Sequence, residues 1–473
     1  YRDLRGLLGI RAVIADEIPL AGMHLFSGFL LGGEEIYEVT ELGEEERQDM
    51  NPSVPWYTTG AGTKTYMVGT LSDETIEQTV DNEIRAQYAG MEEEAAKNSL
   101  LPAIFWRNSV DTAKIFCVNG DYLADISAVG ILDAMMGETY DYDIYPVINA
   151  QNLVIADLPA FVSENEEEMQ KRYSQSAQAV YQEIVWPSLT SIASRTGAKM
   201  TCMMTPQFTY TDEEEPDGEN VTYYLKRLKE EHAEAGLSAD SREGIPLSEK
   251  IKQEQTYAPS YRFLSLYADG VKSIGEESAL PAEIRTVALG SGASGQAVGY
   301  LNENVTLQPS TSSGIRHTFL DDFKVKCMET ALGYSNITLD LYSVTYPEGD
   351  EDSWEKMSKK IAANLGTYWK AYEAFDATTL TESDVRIRRF LALDYKQQRA
   401  GNVITLSLEH REDAAWFLLR LHGEKVTEVA GGSFEEIEDG VYLILAEEDE
   451  VSVKVQNGET WQYQDGGKRG DGT

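Results

Sequence analysis

The sequence predicts an α/β protein of several domains: a central (β/α) barrel, a small N-terminal α/β domain and a C-terminal antiparallel β domain. Three observations lead there. Apolar runs alternate with helix-periodic segments from about residue 112 to 348. The texture then changes to strict apolar/polar alternation after about residue 402. Finally, 473 residues are too many for one core, while 42% hydrophobic and 10% aromatic content can fill several.

Residues 1–108 mix the short apolar runs GIRAVIA, HLFSGFLLGG and TYMVGTL with turns and an acidic, helix-like segment around TIEQTVDNEIRAQYAG. This reads as a small α/β domain that begins partway through a fold, so an anchor or partner domain is expected upstream. Over residues 109–400 strands alternate with helices, as a parallel sheet or barrel requires. AKIFCVNGDY is an apolar run closing on a Gly-Asp turn, SAVGILDAMM has helical periodicity, and YDIYPVINAQN is a strand ending in amides. The segment from Glu164 to Thr196 is a long amphipathic helical region, stopped by Gly197. KMTCMMTPQFTY is strand-like, YYLKRLKEEHAEAG is helical and runs into a polar turn, and YRFLSLYAD, IRTVALGSG and NITLDLYSVTYP are strands. Residues 353–396 read as two helices, the second opening on TESD, a loosened capping box. Residues 401–457 (VITLSLEH, AWFLLRLH, VTEVAG, GVYLILAEE, EVSVKVQ) read as a β-sandwich, and 458–473 as a flexible tail.

The charge balance narrows the partners. Eighty acidic residues against 40 basic give a net charge of −40. Phosphate backbones need Lys and Arg for neutralisation, so nucleic acid is not expected as a partner, nor is an anionic membrane surface. Neutral or cationic ligands fit, among them glycans and amino sugars. No apolar run reaches the length of about 18 residues that a membrane span needs, so no direct membrane insertion is expected. The start of the chain carries no signal-peptide pattern, since Arg11, Asp16 and Glu17 interrupt its apolar run. We expect the mature or excised part of an extracellular or cell-surface bacterial protein. Cys117, Cys202 and Cys327 stand far apart, which gives neither a zinc pattern nor a disulfide framework and suits buried structural thiols.

Local motifs argue mostly by exclusion. GSGASG at 290–295 follows a strand, but neither a helix nor an acidic residue about 20 positions on follows it, so it is read as a glycine loop and not a dinucleotide site. His24, His232, His317, His410 and His422 include no pair at helical or turn spacing, and no G-x-S-x-G elbow occurs. The acidic run at 212–216 lacks calcium-loop spacing. No cofactor and no metal site are expected.

The strand ends carry more. In parallel α/β folds ligands gather at strand C-termini. Asn119 and Asp121 follow the first barrel-like strand, and Asn149, Gln151 and Asn152 the second. Gln207, Tyr210 and Asp212 follow the third, while Asp340, Tyr342 and Tyr346 lie in or after a late strand. Acids and amides hydrogen-bond sugar hydroxyls, and aromatic faces stack on pyranose C–H surfaces. Asn119–Asp121 is also a strong turn signal by itself.

The strand order over 112–348 resembles the polysaccharide deacetylase family, whose fold is a distorted (β/α) barrel. That family opens with a strand ending T-F-D-D, where one Asp is the base and the next binds metal. Here KIFCVNGDY stands in that place and Asp121 is the matching acid. The second family motif is E-x-G-N-H-S/T-x-x-H, with both histidines on the metal. Here Glu234 and Gly236 fit, but Ser238 and Arg242 occupy the histidine positions. A guanidinium has no acceptor for a cation. Near the late strand Tyr342 stands where the family has a histidine. The resemblance implies a carbohydrate site with a degenerate metal motif.

The expected function is therefore an extracellular carbohydrate-binding or carbohydrate-active protein for an exopolysaccharide or amino-sugar polymer, with polysaccharide or oligosaccharide as partner. The alternative is an active glycoside hydrolase or deacetylase using carboxylates at the barrel mouth, about 5–10 Å apart. Asp121, Asp212 and Glu234 are the candidate catalytic residues. Asn119, Asn149, Gln151, Gln207, Tyr210 and Tyr342 are the candidate substrate contacts.

Overall fold

The computed structural model describes residues 2–38, 53–79, 100–158, 163–205, 218–239, 247–270, 274, 280–290, 298–316 and 318–458. They fall into two units, 1–139 with 147–391, and 140–146 with 392–473.

The first unit begins with strands β1 (Ile10–Pro19), β2 (Gly22–Leu25), β3 (Glu35–Glu38), β4 (Ser53–Thr59), β5 (Thr63–Thr70), β6 (Ala103–Val110) and β7 (Ala113–Val118). β1 pairs with β4, and the other five form an antiparallel sheet in the order β3-β2-β5-β6-β7. The run AKIFCV, expected as the first barrel strand, is β7 of this sheet. It returns on β6 through a tight turn in which Asp111 takes φ 53°. The sheet's core includes Met23, Leu25, Phe29, Met67 and Phe105. It continues into the helices Ser127–Gly137 and Phe319–Leu332 through Ile131, Ala134, Phe319 and Phe323. Gly130 lets the two helices touch, because a Cβ there would stand 2.2 Å from the Cys327 carbonyl oxygen. Gly130→Ala is therefore expected to destabilise the unit by about 1–3 kcal/mol through overpacking, although alanine is the better helix former. Urea denaturation reads the sign directly.

The stretch YDIYPVINAQN is two strands, not one. β8 (Tyr142–Val147) pairs within the second unit, and β9 (Ala150–Ala156) enters a parallel sheet of the first. Asn149, at φ 56°, makes the break. The parallel sheet continues with β10 (Met200–Met204), β11 (Glu234–Ser238), β12 (Ser265–Ala268), β13 (Thr286–Leu289), β14 (Gly299–Tyr300), β15 (Thr306–Pro309), β16 (Ser312–Ser313), β17 (Tyr334–Asp340) and β18 (Ala377–Thr378). Its order is β14-β15-β13-β12-β11-β10-β9-β17-β16, with β18 also on β9, and only β14 is antiparallel. The sheet curls. The Ser310 amide donates to Leu289 of β13, and the next amide, Thr311, donates to Asn336 of β17.

Two sequence expectations change here. The helix expected through HAEAG ends at Glu230, and His232 at φ 54° turns the chain into β11. EAGLS is thus a strand buried between β10 and β12, where its small residues fit: a Cβ on Gly236 would stand 2.4 Å from the Met203 sulfur. The single long helix expected over 164–196 is broken after Tyr173, and a π-helical turn, Tyr181–Val185, interrupts its second part.

Residues paired in a parallel register share a face, so Val154 and Ala156 of β9 lie on the same side as Thr338 and Asp340 of β17. Val154 and Ala156 cluster with Met203, Tyr267, Ala288 and Leu380, which identifies this as the inner face. The helix Leu380–Ala392 covers the inner face at the strands' N-terminal ends. Thr381 donates to Glu234, Thr306 to Asp384, and Gln308 to the Leu380 carbonyl.

The second unit adds β19 (Asp394–Ala400), β20 (Val403–Glu409), β21 (Ala415–Leu421), β22 (Glu424–Ala430), β23 (Gly432–Glu438), β24 (Val441–Ala446) and β25 (Glu450–Asn457). Two four-stranded sheets, β19-β20-β25-β22 and β23-β24-β21-β8, share one core. Alternate residues supply it: Ile404, Leu406 and Leu408 from one sheet, Phe417, Leu419 and Leu421 from the other.

Candidate functional site

The residue that follows β9 is Asp157. It is 2% exposed, and its backbone sits at φ 55°, a conformation uncommon outside glycine. The carboxylate is held by hydroxyls from the ends of two neighbouring strands. Thr205, just past β10, donates to Oδ1 at 2.9 Å, and Ser238, the last residue of β11, donates to the same oxygen at 3.2 Å. A buried acid in a sparsely populated backbone conformation, gripped across three strands, is the kind of local cost that functional sites carry.

Other polar groups gather at the same ends. Tyr267 of β12 donates to Asp269 at 2.9 Å. Burial and the Asp269 carboxylate push its phenol far above the ordinary range, with Asp340 and Asp157 adding to the effect. Gly290, after β13, makes room for this pair, because a Cβ there would stand 2.8 Å from the Tyr267 hydroxyl. Asp340 closes β17 beside Ala156, and its Oδ1 accepts the Tyr342 amide at 2.8 Å. The half-buried rings of Tyr342 and Tyr346 stack at 5.0 Å and 19°. The π-helical turn carries Tyr181, whose hydroxyl donates to the Leu341 carbonyl at 2.8 Å. Burial drives that phenol upward too, and the Asp157 and Asp340 carboxylates act in the same direction.

The residues expected from sequence are spread over the first unit. Tyr342 lies at this C-terminal face. Asn119 is buried after β7 and stitches the antiparallel region, donating to the Pro55 and Ala103 carbonyls at 2.9 Å each. Asp121 is exposed in the turn that follows β7. Asn149 precedes β9, where it pairs with Asp376. Gln151 is buried near the start of β9 and donates to the Tyr372 carbonyl at 3.1 Å. Glu234 begins β11, so it stands at the covered N-terminal end, where it accepts from Ser265 at 2.6 Å and Thr381 at 2.7 Å. Gln207, Tyr210, Asp212 and Arg242 lie outside the described residues, as do residues 291–295 of the glycine loop. Sequence reasoning missed Asp157, although LVIADLP signals it: an acid directly after a buried run.

The metal that the family resemblance implies does not fit the described residues. No group of three His, Cys, Asp or Glu among them could hold an ion, and Asp157 is met by two hydroxyls. Nor, among the described residues, is any helix long and apolar enough to cross a membrane.

Residues 70–244, which include Asp157, Thr205 and Ser238, match a family described as an uncharacterised protein conserved in bacteria (DUF2194). No curated protein matches the chain. Among solved structures it is similar to a protein described as a polysaccharide deacetylase from Mycobacterium smegmatis, at 8% identity and a TM-score of 0.31, covering 50% of this chain and 90% of that one. It is also similar to a protein described as a glycoside hydrolase/deacetylase from Parabacteroides distasonis, at 10% identity and a TM-score of 0.31, covering 58% and 82%. An endo-β1,6-glucanase is similar at 8% identity and a TM-score of 0.28, covering 65% and 82%.

Proposed function

We propose that this protein binds, or acts on, an exopolysaccharide or amino-sugar polymer at the C-terminal ends of its curled parallel sheet, outside the bacterial cell. The observation that carries the reading is Asp157, a buried carboxylate in a left-handed backbone, with Thr205 and Ser238 as donors. Acids and hydroxyls at this spacing suit sugar hydroxyls, and the Tyr342–Tyr346 pair offers aromatic surface to a pyranose. The double pairing of residues 310–311 supports a closed, deacetylase-like barrel. Ser238 stands where the deacetylase motif has a metal-binding histidine and bonds Asp157 instead, which supports a degenerate metal motif and binding without zinc.

A second reading, hydrolysis or deacetylation by carboxylates alone, draws on Asp157 and Asp340 standing at the ends of adjacent strands. One experiment addresses both. Chito-oligosaccharides are titrated calorimetrically into the protein and into Asp157→Asn, and the mixtures are assayed for acetate and for new reducing ends. Binding weakened at least tenfold in the variant (about 1.4 kcal/mol) supports the site, and turnover lost with it supports the second reading. Absence of binding and turnover for acetylated and deacetylated oligomers alike removes both.

A further inference from the structure

We propose that the ligand taken at this face carries protonated primary amines, so that the polymer recognised is a partly or fully deacetylated hexosamine chain. The inference rests on the proposed carbohydrate site and adds the charge state of its ligand.

Three carboxylates stand at the C-terminal ends of three strands and grade from rim to interior. Asp269 is exposed, Asp340 half-buried and Asp157 buried. The charges acting most strongly on the Tyr267 hydroxyl are all negative, from Asp269, Asp340 and Asp157. Among the described residues, the charged groups that close these strand ends are Asp269, Asp340 and the acid after β9, Asp157, all of the sign that attracts a cation. These acids are too dispersed for a metal, since no three acidic, His or Cys side chains among the described residues could share an ion. A dispersed negative field with hydroxyls between the charges suits an alkylammonium, which has three N–H donors and no acceptor.

A second observation points inward from the same place. Thr338 is 5% exposed, and its hydroxyl is buried without a hydrogen-bond partner among the described residues. It lies two residues before Asp340 on the inner face, in register with Val154. Leaving such a hydroxyl unsatisfied is unfavourable, and a ligand N–H or O–H would satisfy it. An acetamido group brings no charge to the three carboxylates, whereas an amine brings one per sugar. The net charge of −40 steers approach in the same sense.

The test compares glucosamine oligomers with N-acetylglucosamine oligomers of equal length, at low and high salt, with a lysine oligomer as competitor. The expected result is at least tenfold tighter binding of the amine form at low salt. Asp269→Asn and Asp340→Asn should each shrink that advantage, and Thr338→Val should weaken the amine form several-fold. The lysine oligomer should compete poorly. Equal or weaker binding of the amine form overturns this inference and leaves the carbohydrate site standing. Effective competition by the lysine oligomer also overturns it, by reducing the preference to general charge attraction. Failure of both sugars to bind overturns the inference and the carbohydrate reading together.

Discussion

Replacing Glu329 with glutamine is expected to abolish a loss of stability that the native protein suffers as pH rises from mildly acidic to mildly alkaline. Glu329 lies in the helix Phe319–Leu332 and is fully buried over β9 and β17. Burial pushes its carboxyl up to about 8, which a hydrogen bond from Gln151 at 3.4 Å only partly opposes. The folded value exceeds the unfolded one of about 4.3, so the native state holds a proton that the unfolded chain releases. The stability tied to that proton is complete below the unfolded value. It falls by about 1.4 kcal/mol per pH unit above it and is gone beyond the folded value. The full loss is on the order of 5 kcal/mol. Glutamine keeps the shape without the titration. Chemical denaturation of both proteins across this range should show the curves diverging, with the variant ahead on the alkaline side. Parallel curves would mean that the carboxylate is compensated in the folded protein.

Glu138→Ala is expected to cost about 2–3 kcal/mol at neutral pH, because it leaves the buried Tyr66 hydroxyl and the largely buried Arg107 guanidinium without their acceptor, while half-exposed Lys64 returns to water. The side chain, 5% exposed, accepts from Lys64 at 2.8 Å and from the Tyr66 hydroxyl at 2.8 Å. Arg107 reaches its carboxylate at 3.4 Å and its carbonyl at 2.6 Å. Burial alone would raise this carboxyl, but Lys64, Tyr66 and Arg107 together hold it below its usual value. The pH sign is the reverse of that for Glu329. The contribution is present above the unfolded value and is lost as pH falls through the depressed folded one. A change under about 1 kcal/mol in the urea transition would place this cluster among weak surface pairs instead.

The elements readable in the sequence are those whose period matches one environment. Ile404, Leu406 and Leu408 alternate because one face of their strand meets the sandwich core. The runs CMM in β10 and VAL in β13 are continuous because parallel strands are buried on both faces. The register of the parallel strands is harder to read. Residues 142–156 form one largely apolar stretch, which the left-handed turn at Asn149 divides into two strands. Asparagine in that conformation leaves no mark in a hydropathy pattern. Taking the stretch as one strand set Asn149 and Gln151 at a C-terminal end, when the strand they open runs on to Asp157. Glu234 moved for the related reason that EAGLS, rich in small residues, carries no strand signature until Met203 is seen packing on Gly236. Tyr342 follows the C-terminal end of β17, where an acid, Asp340, closes the strand and marks the turn.

The most direct test of the central claim is hydrogen–deuterium exchange of the protein with and without a saturating amino-sugar oligomer. A site at the C-terminal strand ends predicts ligand protection around Asp157, Thr205, Ser238, Tyr267–Asp269 and Asp340–Tyr346, and its loss in Asp157→Asn. Protection confined to the N-terminal ends, around Asn149, Glu234 and the helix Leu380–Ala392, or to the β-sandwich, would contradict it.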